Sequence, residues 1–300
     1  MKIINIKGGL GNQMFQYAFY LSNLNSNNKV KVDISSYDSY NLHNGLEVEK
    51  IFNLKTLLNI ANSSDLDHFK DKSKFFKIKE LLGRMITNNP NFFIKKTHFI
   101  EPNYSRYYKN FYNYVYLDGY WQNEKYFKDY KKQLIQNFKF KNISKYNNQL
   151  AKKLVSENSI SLHVRRFDKI KSLNDIFYRL KLFLLWRVAS KKYYLKSIDK
   201  ISKMVENPKF YVFSDDKDWV SKNLKINYDH IFVDWNRGAN SYEDLFLMSQ
   251  CKHNIISMST FSWWSAWLNN NNNKIVISPK KWASKIKKDL GIIPSDWIRI

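Results

Sequence analysis

The 300-residue chain is 44% apolar and 17% aromatic, which is enough for a packed core and excludes a disordered basic tail. Its net charge of +24 indicates a phosphate-rich partner, either nucleic acid or an anionic membrane face, although lysines spread along the whole chain are equally typical of a solvated surface. The single cysteine, Cys251, excludes an internal disulfide and a Cys-based zinc cluster. No apolar run reaches the roughly 18 residues of a membrane-spanning helix, so we expect a cytoplasmic protein.

The first sixty residues have the strand–turn–helix–strand order of a Rossmann-like unit. The predicted elements are a strand at Ile3–Ile6, a helix at Met14–Leu24 and a strand at Val30–Ile34. The segment from Leu54 to Tyr114 gives no readable pattern. A strand at Val115–Leu117 and a helix after Asn123 follow it.

From Ser159 onward, strands alternate with helices at a spacing that predicts a parallel sheet covered on both faces. The predicted strands are Ser159–Val164, Phe210–Phe213, His230–Val233, Asn254–Ser257 and Lys274–Ile277. The predicted helices are Lys191–Val205, Asp216–Asn223, Tyr242–Cys251 and Phe261–Asn269, and Asn269–Asn273 is a loop. We set the boundary at residue 155, in a polar stretch, which gives domains of residues 1–155 and 156–300.

The segment SLHVRRFD, Ser161–Asp168, follows directly from a predicted strand. Ligands of open α/β sheets bind beyond the carboxyl ends of the strands. The planar forks of Arg165 and Arg166 suit a phosphate, and Asp168 can hold one guanidinium in place. His163 lies beside them. A surface Arg–Asp pair that caps a strand is the structural alternative.

The opening segment GGLGNQ, Gly8–Gln13, is a glycine turn between a strand and a helix, which allows close approach of a ligand to the backbone. It lacks the G-x-G-x-x-G spacing of dinucleotide-binding proteins, and only Asp33 stands near the place of their acidic residue. We therefore interpret Gly9 as part of a substrate loop, and Asn12 and Gln13 as carboxamides that bind sugar hydroxyls.

Two further polar segments follow predicted strands. In FSDD, Ser214 and Asp215 are candidates for nucleotide binding, with a simple helix cap at one of them as the alternative. The adjacency of Asp215 and Asp216 differs from the Asp-x-Asp of metal-dependent glycosyltransferases, so we expect no metal and no cofactor. The start of the last helix offers hydroxyls and amides to an anion, from Ser259, Thr260, Phe261 and Ser262. We expect the tryptophans of this helix and Cys251 to lie in the core, and His43 and His98 have no motif partner.

Taken in order, five segments resemble glycosyltransferase family 11, the α-1,2-fucosyltransferases. They are GGLGNQMFQYA at Gly8–Ala18, LDGYWQNEKYF at Leu117–Phe127, LHVRRFD at Leu162–Asp168, FSDD at Phe213–Asp216 and EDLFLMSQCKHNIISMSTFSWWSAWL at Glu243–Leu268. The resemblance implies a GT-B-like α/β fold, with two Rossmann-like domains whose parallel sheets face across a cleft. It implies inverting, metal-independent transfer of fucose from GDP-β-L-fucose to the 2-hydroxyl of a galactoside, in a bacterial cytoplasm or on the inner face of its membrane. A cell-surface polysaccharide or O-antigen is the implied product.

The resemblance also implies roles for single residues. Arg165 would bind the β-phosphate of GDP, His163 the guanine or ribose, and Asp244 the N1–H and N2 amine of guanine. Ser259–Ser262 would hold phosphate oxygens, and Asn12 would lie near fucose and the acceptor. This chain departs from the family at Phe167, where glycine is usual. The segment Lys169–Trp186 is hydrophobic and does not follow the family's pattern.

The proposed displacement runs through an oxocarbenium-like state in which arginine and helix N-termini stabilise the departing diphosphate. Asp168 and Asp215 are both candidates for the general base, and a substrate-assisted route stays open. Two alternatives remain. The first is a GDP-fucose transferase of another linkage. The second is a basic nucleic-acid-binding protein, for which no RRM, OB or helix-turn-helix signature is present.

Overall fold

The computed structural model describes residues 1–24, 29–38, 44–67, 69, 93–95, 98–100, 115–166, 188–282 and 291–300. The chain divides into two compact units, Met1–Lys141 and Asn142–Ile300. Each unit has its own largely parallel β-sheet with helices between the strands, which confirms the predicted α/β class with two Rossmann-like units. No helix within the described ranges is long and apolar enough to cross a membrane.

The first unit contains a five-stranded sheet with the order β2-β1-β5-β4-β3. Its strands are β1 (Lys2–Asn5), β2 (Val30–Asp33), β3 (Phe93–Lys95), β4 (His98–Ile100) and β5 (Val115–Asp118). β1 pairs in parallel with β2 and β5, β5 pairs in parallel with β4, and β3 is antiparallel to β4. Because β1 lies between β2 and β5, the strand order reverses at β1, which makes this a topological switch point.

The helices of the first unit are α1 (Leu10–Leu24), α2 (Val48–Ile51), α3 (Ser63–Asp67) and α4 (Lys131–Asn137), with short 3₁₀ turns at Ser35–Tyr37, Glu124–Tyr126 and Lys128–Tyr130. α1 is buried around most of its circumference, and its aromatic residues form much of the core of this unit. It begins before the predicted Met14, because the amides of Asn12 and Gln13 already donate to the carbonyl of Gly9.

The second unit contains a six-stranded parallel sheet with the order β11-β10-β9-β6-β7-β8. Its strands are β6 (Ser159–Val164), β7 (Lys209–Ser214), β8 (His230–Val233), β9 (His253–Ile255), β10 (Val276–Ser278) and β11 (Ile298–Arg299). The chain starts in the middle at β6, runs outward through β7 and β8, then returns to β9 on the other side of β6. This is the doubly wound order, with its switch point between β6 and β9.

The helices of the second unit are α5 (Lys145–Ser156), α6 (Lys191–Ser202), α7 (Lys217–Asn223), α8 (Tyr242–Gln250) and α9 (Thr260–Leu268), with a 3₁₀ turn at Gly238–Asn240. All six residues of β6 are buried, as expected for a central parallel strand covered on both faces. The tryptophans of α9 and Cys251 lie in the core, which confirms their predicted place. Asn269–Asn273 is a loop between α9 and β10, as predicted.

The predicted domain boundary at residue 155 falls inside α5, a helix that the polar sequence did not reveal. Its residue Asn147 and the preceding Ser144 bond to Glu243 of α8, which is why α5 belongs to the second unit. The units divide between Lys141 and Asn142, at the start of the polar stretch that the sequence singled out. The five predicted strands of this half are present, with ends that shift by two residues or fewer.

Candidate functional site

The carboxyl edge of the second sheet gathers the polar residues that the sequence predicted to be functional. Arg165 and Arg166 follow β6, Asp215 follows β7, and Ser257 follows β9. Since these strands are parallel, their carboxyl ends meet at one edge, and β6 and β9 flank the switch point. This edge is therefore the candidate active site of the unit.

His163, the penultimate residue of β6, is buried, and its Nδ1 is hydrogen-bonded to the hydroxyl of Ser257 at 2.8 Å. Burial, together with the positive charge of Arg165, lowers the pKa of His163 to about 3, although Asp215 opposes this shift. The imidazole is thus neutral at physiological pH. A neutral ring has one donor and one acceptor, and its Nδ1 uses one of them on Ser257, which joins the ends of β6 and β9.

Arg165 is anchored by Asp215 from the neighbouring strand. Its guanidinium lies 3.1 Å from Oδ2 of Asp215, whose carboxylate is almost fully buried while the Arg165 side chain is 34% exposed. The other oxygen, Oδ1, accepts the backbone amide of Arg166 at 2.8 Å. One carboxylate therefore fixes both the loop and the exposed guanidinium, which is an arrangement suited to holding an anion.

The side chain of Arg166 packs against an aromatic ring. Its guanidinium lies 4.0 Å from the centroid of the Trp219 ring on α7, a cation–π contact. The two adjacent arginines thus have different surroundings, since one is paired with a carboxylate and the other is stacked on an indole. Asp215 thus pairs with the guanidinium of Arg165, whereas Arg166 contacts Asp215 through its backbone amide.

Asp168, predicted to hold a guanidinium and to act as a catalytic residue, and Phe167 lie outside the described residues. In the described part of the chain Asp215 pairs with the Arg165 guanidinium, and its role as a general base stays a prediction. The alternative of a helix cap at Ser214 or Asp215 is wrong, because Asp216 caps α7 by accepting the amide of Trp219 at 2.8 Å. The hydroxyl of Ser214 instead accepts the amide of Asp216 at 3.0 Å.

The first turn of α9 lies next to the switch point. Ser259, Thr260 and Phe261 are partly exposed, and the first-turn amides of a helix have no partner within it. Ser262 differs, because its hydroxyl is buried and bonds to the carbonyl of Ser259 at 3.3 Å. The Ser262 hydroxyl is therefore engaged within the turn, while the backbone amides of the turn can bind an anion, and the assignment of Ser259–Ser262 to phosphate stays a prediction.

Asp244, in the first turn of α8, accepts a hydrogen bond from the side-chain amide of Asn236 at 2.8 Å. Burial of its carboxyl raises the pKa of Asp244 to about 7, and the bond from Asn236 and the charge of Arg237 oppose that shift. Hydrogen bonds donated by a ligand stabilise the ionised form of such a carboxyl, which burial disfavours. Asp244 is thus suited to bind N–H donors.

A buried asparagine supports Asp244 from behind. Asn147 of α5 is 0% exposed, and its amide donates to Asn236 at 2.8 Å and to Glu243 at 2.6 Å. Its carbonyl accepts the indole N–H of Trp235 at 2.9 Å. Sequence reasoning missed Asn147, Asn236 and Trp235, because nothing in a polar segment around residue 147 signals that the fold will bring these partners together.

The predicted substrate loop lies in the first unit. The Gln13 side chain is fully buried, donates to the carbonyls of Gly8 and Gly45, and accepts the amides of Glu47 and Val48. Every polar atom of its side chain is engaged, so Gln13 has a structural role in place of the predicted binding of hydroxyls. Asn12 is partly exposed and remains available to a ligand.

The described residues contain no group of three His, Cys, Asp or Glu side chains that could hold a metal ion. A cavity of about 820 Å³ lies near the amino ends of β6 and β7, lined by residues such as Glu157, Lys209 and Asp229. It is at the opposite edge of the sheet from the arginines and so is not part of the candidate site.

Comparison with known proteins finds a family and relatives that match nearly the whole chain. The model of the family described as Glycosyl transferase family 11 matches residues 1–300. An alpha-1,2-colitosyltransferase of Escherichia coli is 32% identical over 99% of this chain and 98% of its own length. The O-antigen biosynthesis glycosyltransferase WbnK of Escherichia coli is 30% identical over 98% of this chain and 99% of its own. The galactoside 2-alpha-L-fucosyltransferase Sec1 of Mus musculus is 28% identical over 36% of this chain and 28% of its own.

Proposed function

The chain belongs to glycosyltransferase family 11, and on that premise we propose that it transfers L-fucose from GDP-β-L-fucose to the 2-hydroxyl of a galactoside. The observation that carries this proposal is the anchored, exposed guanidinium of Arg165 at the switch point of a doubly wound sheet. A sugar-nucleotide donor has a diphosphate leaving group, and its departure needs a fixed positive charge.

In the proposed mechanism Arg165 binds the diphosphate and stabilises the negative charge that develops as the bond to the anomeric carbon breaks. The amides in the first turn of α9 supply a second set of donors close to β9. Both sets are fixed before the reaction, since Asp215 holds Arg165 and the helix holds its own amides. Such preorganised donors are worth a few kcal/mol each at the transition state.

Recognition of the guanine base is assigned to Asp244. Guanine presents two adjacent N–H donors, on N1 and on the N2 amine, and an ionised carboxylate accepts both. The side-chain amide of Asn236 donates a hydrogen bond to one oxygen of Asp244 and so holds the carboxyl group in place. Uracil has no amine beside its N–H, and adenine presents a ring nitrogen acceptor there, so this arrangement selects GDP over UDP and ADP.

Colitose is the second candidate for the transferred sugar, because the relative that is 32% identical is named as an alpha-1,2-colitosyltransferase. Colitose is fucose without its 3-hydroxyl, so the two sugars share the rest of their ring configuration, and the proposed guanine site would accept either sugar as its GDP derivative. The galactoside acceptor is supported by the name of the murine relative. A role in O-antigen or other cell-surface polysaccharide synthesis is supported by the name of WbnK.

Metal-independent transfer and peripheral contact with an anionic membrane belong to the same proposal. The net charge of +24 supports attraction to phospholipid, and a lipid-linked acceptor would be presented at such a surface. We propose no role in nucleic-acid binding.

The test is incubation of the protein with lactose and either GDP-fucose or GDP-colitose, with the linkage of the product determined by NMR. An α-1,2-fucosyl product is the expected result. If only colitose is transferred, the proposed donor sugar is wrong. If fucose is transferred in a different linkage, the proposed 2-hydroxyl position is wrong. Thermal shift with GDP and UDP gives a separate check, since GDP at 100 times its Kd should stabilise the fold by about 2.7 kcal/mol and UDP should not.

A further inference from the structure

We propose that a crevice in the first unit binds the galactosyl unit of the acceptor, with Tyr120 as the surface on which the sugar stacks. The name Tyr120 crevice is used below for the surface cluster of Lys7, Gly8, Asn12, Asp118, Tyr120 and Gln122, whose members are joined by side-chain contacts. The proposal rests on the proposed function, which supplies a galactoside as the acceptor.

The Tyr120 crevice lies where the fold of this unit predicts a ligand. Lys7 and Gly8 follow β1, and Tyr120 follows β5, its parallel neighbour in the sheet. The strand order of this sheet reverses at β1, and ligands of open α/β sheets bind at the carboxyl edge beside such a reversal.

Gln16 and Asp118 fix the two loops of the crevice against each other. Gln16, which is 0% exposed, accepts the amide of Lys7 at 3.0 Å and donates to the carbonyl of Gly119 at 3.1 Å. Asp118 accepts a hydrogen bond from the ammonium of Lys7 at 2.5 Å and another from the side-chain amide of Asn5 at 3.1 Å. The crevice is therefore preorganised, which lowers the entropy cost of binding.

The turn that carries Tyr120 has a strained backbone. Trp121 has a φ of 54°, in the left-handed region that bulky residues avoid. Its side chain is buried and stacks on Phe19 with ring centroids 3.8 Å apart, while Tyr126 packs edge-on against it. These contacts hold the strained turn. The two residues that flank Trp121 lie at the surface, with Tyr120 38% exposed and Gln122 partly exposed. Strain that the surrounding packing maintains is typical of ligand-binding positions.

The chemistry of the crevice suits a sugar. The ammonium of Lys7 lies 5.4 Å from the centroid of the Tyr120 ring. The apolar C–H face of galactose can cover the part of that ring which stays exposed, while its hydroxyls need both donors and acceptors. Gln122 donates its amide to the carbonyl oxygen of Asn12 at 2.9 Å, so the Nδ2 of Asn12 and the Oε1 of Gln122 remain as one donor and one acceptor. A Cβ at Gly8 would lie 2.8 Å from Nδ2 of Asn12, so this glycine gives the amide its room.

The experiment compares the full-length protein with Tyr120→Ala and Tyr120→Phe. Tyr228→Ala is the matched control, because Tyr228 is 39% exposed but lies in the second unit, beside the cavity at the opposite edge of its sheet. The readouts are the KM for lactose, saturation-transfer NMR of methyl β-galactoside with GDP present, the Kd for GDP, and the hydrolysis of GDP-fucose without acceptor.

For Tyr120→Ala we expect the KM for lactose to rise about tenfold, which corresponds to about 1.4 kcal/mol of binding free energy, and the saturation-transfer signal to disappear. The Kd for GDP and the hydrolysis of the donor should stay at wild-type values. Tyr120→Phe keeps the ring and should restore the KM, and Tyr228→Ala should behave as wild type.

A wild-type KM and NMR signal in Tyr120→Ala would overturn this inference and leave the proposed function intact, because transfer to lactose would persist. A wild-type protein that binds GDP and hydrolyses the donor, but gives no signal or product with any galactoside, would contradict the proposed acceptor itself. An equal loss of GDP binding and lactose binding in Tyr120→Ala would also overturn the inference, since it would indicate a general structural defect.

Discussion

Arg165 and Asp215 form an ion pair at 3.1 Å between the ends of two adjacent parallel strands, and the same carboxylate accepts the backbone amide of Arg166. The pair joins residues 50 positions apart in the chain. It holds one partly exposed guanidinium at the edge of the sheet where a diphosphate is expected, and three of the predictions below depend on it.

Arg165→Lys should reduce kcat by a factor on the order of 10²–10³, and Arg165→Ala at least as much, while the protein stays folded. Lysine keeps the charge but lacks the planar fork that bonds to both a carboxylate and a phosphate. The affinity for GDP should fall less than kcat, because the contact strengthens as charge moves onto the leaving group. Steady-state kinetics and calorimetry with GDP measure the two effects. Near wild-type turnover in Arg165→Lys would break the link between this residue and the chemistry.

Asp215→Asn should lower kcat and change the Kd for GDP only slightly, because Asp215 acts through Arg165 as a positioning residue. The amide keeps the acceptor for the Arg166 amide but loses the charge that orients the guanidinium. Asp218→Asn, in the first turn of α7, is a matched control with the same charge change and should keep full activity. An acidic limb of the pH–rate profile that disappears in Asp215→Asn would instead assign Asp215 as the general base.

GDP affinity should depend on pH through Asp244. The pKa of this carboxyl is raised to about 7 in the folded protein, so ionisation costs stability as pH rises from about 4 to 7, and a bound guanine compensates for that cost. GDP should therefore bind about tenfold more weakly at pH 6 than at pH 8. Asp244→Asn should bind GDP weakly and show only the residual slope due to the terminal phosphate. An unchanged pH dependence in that variant would remove Asp244 from guanine recognition.

His163 and Gln13 mark the limits of what the sequence predicts. The strand ends and the polar loops after them could be located, because buried parallel strands are short apolar runs bounded by polar residues. The protonation and hydrogen bonding of the side chains at those ends could not be predicted, since they depend on partners that are distant in the sequence. The pKa of His163 is lowered by burial, and Gln13 is saturated by backbone groups from around residues 45–48. Asn147 was missed for the same reason, because its three partners come from elements far along the chain.

Transfer should continue in excess EDTA. The expected positive charge at the diphosphate comes from Arg165, whose guanidinium is already in place at the end of β6. The measurement is the initial rate of fucosyl transfer before and after chelation, followed by addition of Mg²⁺ or Mn²⁺. A loss of turnover that either ion restores would contradict this prediction and make Asp215 and Asp216 candidate ligands.

Asn147→Ala should destabilise the second unit and weaken GDP binding in a base-specific way. The substitution leaves the side-chain oxygen of the buried Asn236 without its donor, which costs about 1–3 kcal/mol. It also removes the acceptor of the Trp235 N–H and one donor to Glu243, which keeps its bonds from Ser144. Asn236 then loses the bond that orients it toward Asp244, so the carboxylate is no longer fixed for the guanine edge.

The matched control for that variant is Asn148→Ala, which removes the exposed neighbour whose amide bonds only to a loop carbonyl among the contacts described for it. Thermal unfolding should separate the two variants by several degrees, and calorimetry should record a lower GDP affinity for Asn147→Ala alone. IDP, which lacks the N2 amine, distinguishes the cause. If Asn147 acts through Asp244, the preference of the wild type for GDP over IDP should shrink in Asn147→Ala. A variant that is destabilised but keeps the full preference would make Asn147 a purely structural residue.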